Sequence, residues 1–133
     1  MGAYQTAKFG IEGFSEVLRN EVKPLGIKVT IIEPGAFRTD WGGSPLTAIP
    51  VSADHDQTVG EMNRYRESTV STWPGDPART AKIITGIARL DEPPLHLLLG
   101  AAAVESARQA SQARAAEAEQ WAGVSRSADF PAS

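Results

Sequence analysis

A tyrosine and a lysine stand four residues apart near the start of this 133-residue chain, in the stretch GAYQTAKFGIEGFSEVLRNEV. On a helix that spacing stacks Tyr4 and Lys8 about one turn apart, with Cβ atoms some 5–6 Å from each other. A free phenol titrates near ~10, too high for efficient proton transfer at neutral pH. A cation within about 4–6 Å favours the phenolate, so the pair has the composition of a tuned proton donor. The same spacing also describes a tyrosine at a helix edge beside a solvated lysine. The four-residue pattern is common by chance and assigns nothing without structural context.

The elements around the pair supply that context. Ala3, Ala7, Ile11, Phe14, Leu18, Val22 and Leu25 recur every three or four residues, which predicts one helix over Tyr4–Val22 with an apolar stripe. Gly10 and Gly13 weaken a helix by about 1 kcal/mol each and imply close packing against another element. Pro24 and Gly26 end it. Ile27–Glu33 is a β-branched run apolar on both parities, the pattern of a strand buried on both faces, as in a parallel sheet. A Gly-, Pro- and Asp-rich loop follows to about residue 55. A short helix is predicted over Thr58–Thr72. Asp76 and Pro77 read as the N-cap and first position of a helix that buries Ile83, Ile84, Ile87 and Leu90. Leu95–Leu99 reads as a second buried strand, and Ala101–Trp121 as an alanine-rich helix ended by Gly123.

Helix, strand, helices, strand, helix is an α/β order in which the helix between the strands supplies the crossover of a parallel pair. Two strands do not make a buried sheet alone, so the pattern belongs to a larger one. The net charge of −3 offers no footprint for nucleic acid. No apolar run approaches the ~20 residues of a membrane span, and the N-terminus lacks the features of a signal peptide. The absence of cysteine excludes disulfides and thiolate metal sites and fits a cytoplasmic location. His55 reads as a solvated loop residue and His96 as a packed or edge residue on its strand. Two distant histidines without ligand spacing argue against a metal.

The segments YQTAKFGIEGFSEVLRNEV and GIKVTIIEPGAFRTD together resemble the short-chain dehydrogenase/reductase family. There a tyrosine–lysine helix is followed by a strand and a P-G-x-x-x-T turn, here Pro34, Gly35, Ala36, Phe37, Arg38 and Thr39. PPLHLLLG resembles the family's last strand. The resemblance implies an α/β fold: the C-terminal portion of a Rossmann-like, doubly wound parallel sheet, two strands with flanking helices, over residues 1–122. Residues 41–73 would cover the substrate, with Trp41, Leu46, Ile49, Met62, Tyr65 and Trp73 as its bulky members, and 123–133 would be a loose tail. It further implies hydride transfer between NAD or NADP and a small-molecule alcohol or carbonyl. Tyr4 and Lys8 would be catalytic. Both would also bind cofactor, together with Pro34, Gly35, Ala36, Phe37 and Thr39. Lys8 would hold the nicotinamide ribose, and the Thr39 hydroxyl and nearby backbone groups the carboxamide. Without the resemblance, Thr39 reads equally as a helix cap or a turn residue.

The family's N-terminal nucleotide-binding half, with its Gly-rich strand–turn–helix, is absent. So is the serine that precedes the tyrosine, since only three residues stand before Tyr4. The chain is therefore read as the C-terminal half of such an enzyme, with Met1 internal to a longer protein, and it is expected to be inactive alone. The first helix is the expected contact of a homo-oligomer. The alternative is a non-catalytic remnant or interaction module that associates through that same helix. A sugar-nucleotide epimerase or dehydratase shares the tyrosine–lysine pair but not the P-G-x-x-x-T turn.

Overall fold

A computed structural model describes residues 2–39 and 50–130 of the chain. Helix α1, Gly2–Val22, runs into a 3-10 turn at Lys23–Leu25. Gly26 closes that turn at φ 75°, with its N–H bonded to Lys23 O, a left-handed conformation that costs glycine no Cβ clash. Strands β1, Ile31–Pro34, and β2, His96–Leu99, form a parallel two-stranded sheet. Its register pairs Ile31 with His96 and Pro34 with Leu99. Between the strands lie a continuous helical run and a second helix. The run comprises a π-turn at Asp56–Gly60, α2 at Glu61–Thr69 and a 3-10 turn at Val70–Thr72. The helix is α3, Pro77–Ile87. After β2 come α4, Ala101–Gln120, and α5, Ala122–Arg126.

β1 is shorter than the expected Ile27–Glu33. Its ladder begins at Ile31, whose N–H donates to Leu95 O at 2.6 Å, and Thr30 reaches Pro94 O only through its side-chain hydroxyl at 2.8 Å. Continued backwards, the register sets Leu95 beside Thr30 and then Pro94 and Pro93 beside Val29 and Lys28, and proline has no N–H to extend a ladder. The last helix does not stop at Gly123. After a one-residue break at Trp121 another helical turn passes through that glycine.

The Asp76 cap forms as its residue type predicts. Asp76 Oδ1 accepts from Ala78 N at 2.8 Å and Arg79 N at 3.2 Å, satisfying two of the donors that a helix start leaves without partners. Asp76→Ala is expected to cost about 1 kcal/mol of stability, read as a lower urea midpoint at unchanged slope. An unchanged midpoint would mean that the cap does not form in solution.

The expected buried faces are not buried within this chain. Leu99, 5% exposed, is the one buried apolar side chain among the described residues. On α1 the half-buried positions are Glu12, Ser15, Leu18, Arg19 and Val22, whereas Ile11 and Phe14 of the predicted stripe are more than 60% exposed. A Cβ at Gly10 or Gly13 would meet nothing within 4 Å, so neither glycine marks close packing here. On α3, Ile87 is half-buried while Ile83, Ile84 and, just beyond the helix, Leu90 are exposed. The cause is the width of the sheet, because two strands offer too little surface to cover two helices. The chain exposes 10688 Å², where a compact monomer of 14.2 kDa would expose about 6800 Å².

Candidate active site

Helix α1 sets the first pair. One turn places Lys8 over the face of the Tyr4 ring, with Nζ 5.5 Å from the ring centroid, inside cation–π range. Tyr4 is 44% exposed, so the ring lies at a surface that a ligand can reach.

The turn after β1 supplies the facing group. Gly35 continues the ladder by donating to Leu99 O at 2.9 Å. A Cβ on Gly35 would lie 3.3 Å from that same oxygen and 3.4 Å from Ala103 Cβ, so the turn is seated closely on the start of α4. Beyond it the chain pairs with the segment before α3 in an isolated parallel bridge between Phe37 and Gly75. Gly75 N donates to Ala36 O at 3.0 Å, and Arg38 N to Gly75 O at 3.3 Å.

These elements enclose one open cleft of about 1000 Å³. The seven residues to which the sequence gives a catalytic or cofactor role line it: Tyr4 and Lys8 from α1, and Pro34, Gly35, Ala36, Phe37 and Thr39 from the turn. The cleft lies beyond the carboxyl end of β1, where open α/β sheets bind ligands. Of the bulky residues expected to cover it, Met62 and Trp73 are in its wall. Trp73 is fixed there by an indole N–H bond to Thr69 Oγ1 at 3.2 Å. Tyr65 is 67% exposed and is not part of that wall. Trp41, Leu46 and Ile49 fall outside the described residues.

Two contributions to the cleft were not legible in the sequence. Gln5 lines it from α1, and α3 presents Pro77, Thr80, Ala81 and Ile84. The i, i+3, i+4, i+7 spacing of those four marks a single helix face, of which Ile84 alone belongs to the apolar set that composition picks out. Tyr4, Gln5 and Lys8 also border a second cavity, of about 420 Å³, between α1 and β1.

His96 is an edge residue with partners. Its Nδ1 lies 2.6 Å from Glu33 Oε1 and its Nε2 3.4 Å from Glu16 Oε1, so the ring ties both strands to α1. Glu12, Glu16 and His96 each bring one potential ligand atom within 4.8 Å of the others. The spacing of the histidines could not reveal this, because the carboxylates come from a different element. His55 sits exposed at the end of a 3-10 turn. Among the described residues, shifted acidities occur on exposed ion pairs away from the cleft. The Arg64 guanidinium, 2.8 Å from Asp56, hydrogen-bonds its carboxylate and holds it below the usual range. Arg108 does the same for Glu105. No described helix is long and apolar enough to cross a membrane.

Comparison with known proteins gives the arrangement its relatives. The family model for short chain dehydrogenases matches residues 1–50. Oxidoreductase BOA17 of Botryotinia fuckeliana is 39% identical over 125 residues, covering 94% of this chain and 46% of that protein. A crystal structure of a short-chain dehydrogenase from Streptomyces avermitilis superposes with TM-score 0.82 at 36% identity, covering 97% of this chain and 46% of that one. Mouse 17-beta-hydroxysteroid dehydrogenase type 6 is 52% identical over 46 residues, 35% of this chain and 14% of that protein. The chain spans about half the length of the relatives that it matches from end to end.

Proposed function

The chain belongs to the short-chain dehydrogenase/reductase family of oxidoreductases, and from that premise we propose that its cleft is the nicotinamide end of an NAD(P)-dependent alcohol or carbonyl site. The observation that carries this reading is the convergence of Tyr4, Lys8 and the Pro34–Thr39 turn on one cavity.

The residues present fit a nicotinamide riboside. Lys8 carries three N–H donors for ribose hydroxyls. Thr39 and the backbone of the turn offer hydrogen-bonding groups for a carboxamide, while Phe37, Met62 and Ile84 give apolar surface for a flat ring. Bound nicotinamide supplies hydride chemistry that no side chain offers.

The chain's own residues then have three tasks. The Tyr4 hydroxyl gives a proton to the carbonyl oxygen during reduction and takes it back during oxidation. The Lys8 ammonium favours the phenolate when that proton has left, and it does so more strongly as water is excluded. Met62 and Trp73 limit water at the reacting centre and favour an apolar substrate. A bulky apolar alcohol or ketone is the substrate class that this wall suits, in line with the hydroxysteroid for which the mouse relative is named.

Binding the rest of the dinucleotide calls for a Gly-rich strand–turn–helix outside this sequence. We propose that such a half, with its own strands, covers the apolar surfaces left open on α1 and α3, and that the chain alone does not turn over. A second reading rests on the exposed apolar side chains of α1, Phe9, Phe14 and Val17. They would also serve a helix-mediated homo-oligomer or a non-catalytic interaction module. Titrating the full-length protein with NADH and NADPH while following nicotinamide fluorescence separates the two. A saturable signal is expected, and its absence with both would favour the interaction module.

A further inference from the structure

The turn Pro34–Thr39 has little of its own to hold it still. Pro34 ends β1, and the ladder continues by one hydrogen bond, from Gly35 N to Leu99 O. What fixes the remainder is the bridge to Gly75. Its two backbone hydrogen bonds, from Gly75 N to Ala36 O and from Arg38 N to Gly75 O, grip the turn on both sides of Phe37. The Phe37 ring lies directly over Gly75. A Cβ built there would stand 2.5 Å from Phe37 Cγ and Cδ1 and 2.6 Å from Ala36 O, closer than real Cβ atoms come to a neighbour. A ring can swing aside, but the backbone oxygen belongs to the turn itself.

Gly75 is also tied to a rigid element. The next residue is the Asp76 cap, which anchors the segment to the start of α3. Trp73, two residues earlier, stands in the cleft wall. Thr39 and Trp73 both line the cleft, and the segments that carry them are fastened together at Phe37–Gly75.

Building on the nicotinamide reading above, we propose that Gly75 is a positioning residue for the cofactor-gripping turn. Its missing side chain lets Ala36, Phe37 and Arg38 dock on the capped start of α3, which sets where Thr39 and the turn's backbone stand in the cleft. Any side chain at 75 displaces the turn and leaves Tyr4 and Lys8 in place. The glycine acts through backbone it touches and not on substrate or cofactor.

The test compares Gly75→Ala with Gly86→Ala in the full-length protein. A Cβ at Gly86, on α3, meets nothing within 4 Å, so that variant reports the general effect of a glycine-to-alanine change in the same region. The probes are NADH and ADP-ribose, which lacks the nicotinamide. Wild type and Gly86→Ala are expected to bind NADH more tightly than ADP-ribose. Gly75→Ala is expected to lose about tenfold of its NADH affinity, the worth of roughly one hydrogen bond, with ADP-ribose binding unchanged. A general loss of structure would weaken both ligands together. If Gly75→Ala does not fold, amide hydrogen exchange in the wild type decides. The Gly75 and Arg38 amides should exchange more slowly with NADH than with ADP-ribose. A wild type that does not distinguish the two ligands removes the nicotinamide reading itself. A wild type that does, with Gly75→Ala keeping the same preference or with the two amides indifferent to the nicotinamide, overturns the role of Gly75 alone.

Discussion

Tyr4→Phe in the full-length protein is expected to lower kcat by about 10²–10⁴-fold, the usual worth of a positioned general acid or base. The affinity for NADH should change by no more than about twofold, because the hydroxyl gives its main service as the proton moves. The ring itself stays, so the contact beneath the Lys8 ammonium, 5.5 Å from its centroid, survives the change. Stability should stay within about 0.5 kcal/mol, as expected for a partly exposed position that keeps its packing. Steady-state kinetics beside a fluorescence titration measure both quantities. A variant as active as wild type would return Tyr4 to the status of a helix-edge aromatic.

Lys8→Met has a different signature. The same ammonium is assigned two tasks, favouring the phenolate and holding the ribose, so both kcat and cofactor affinity should fall. Loss of hydrogen bonds from a charged donor is worth about 1.5–3 kcal/mol, which predicts roughly 10- to 100-fold weaker NADH binding. Methionine keeps much of the aliphatic stem, so lost packing does not explain such a change. If kcat falls alone, Lys8 serves the proton and not the ribose. If neither parameter moves, the pair is only a surface contact, and such contacts are worth little.

Much of this arrangement was legible in the residues. The Tyr4–Lys8 spacing, the β-branched run and the Pro34–Gly35 stop place helix, strand and turn in order, and Asp76–Pro77 announces the start of α3. These are local signals, set by capping, propensity and proline geometry. The misreadings concern partners that are distant in sequence. β1 was expected to begin at Ile27 from its own composition, but the length of a ladder depends on both strands, and Pro93–Pro94 end it. The stripe from Ala3 to Leu25 is apolar by its periodicity, and of its members Leu18 and Val22 are half-buried while Ile11 and Phe14 stand exposed. Periodicity shows that a face is apolar and not what covers it.

The candidate site divides the same way. The seven residues carried by the two motifs line one cleft. The α3 wall escaped notice because Thr80 and Ala81 are small and unremarkable in composition. The Phe37–Gly75 bridge joins two loops, and a glycine after a proline signals a turn without naming the ring that lies on it. The carboxylates around His96 were missed for the same reason, since Glu16 belongs to α1 and Glu33 to β1.

On the proposed reading, a nicotinamide ring sits in this cleft beside the Tyr4 hydroxyl. Nuclear Overhauser contacts between bound NADH and the isotope-labelled full-length protein test it directly. Contacts are expected from the nicotinamide ring protons to Tyr4 and Thr39. Nicotinamide contacts confined to other surfaces, with none to Tyr4, would contradict it.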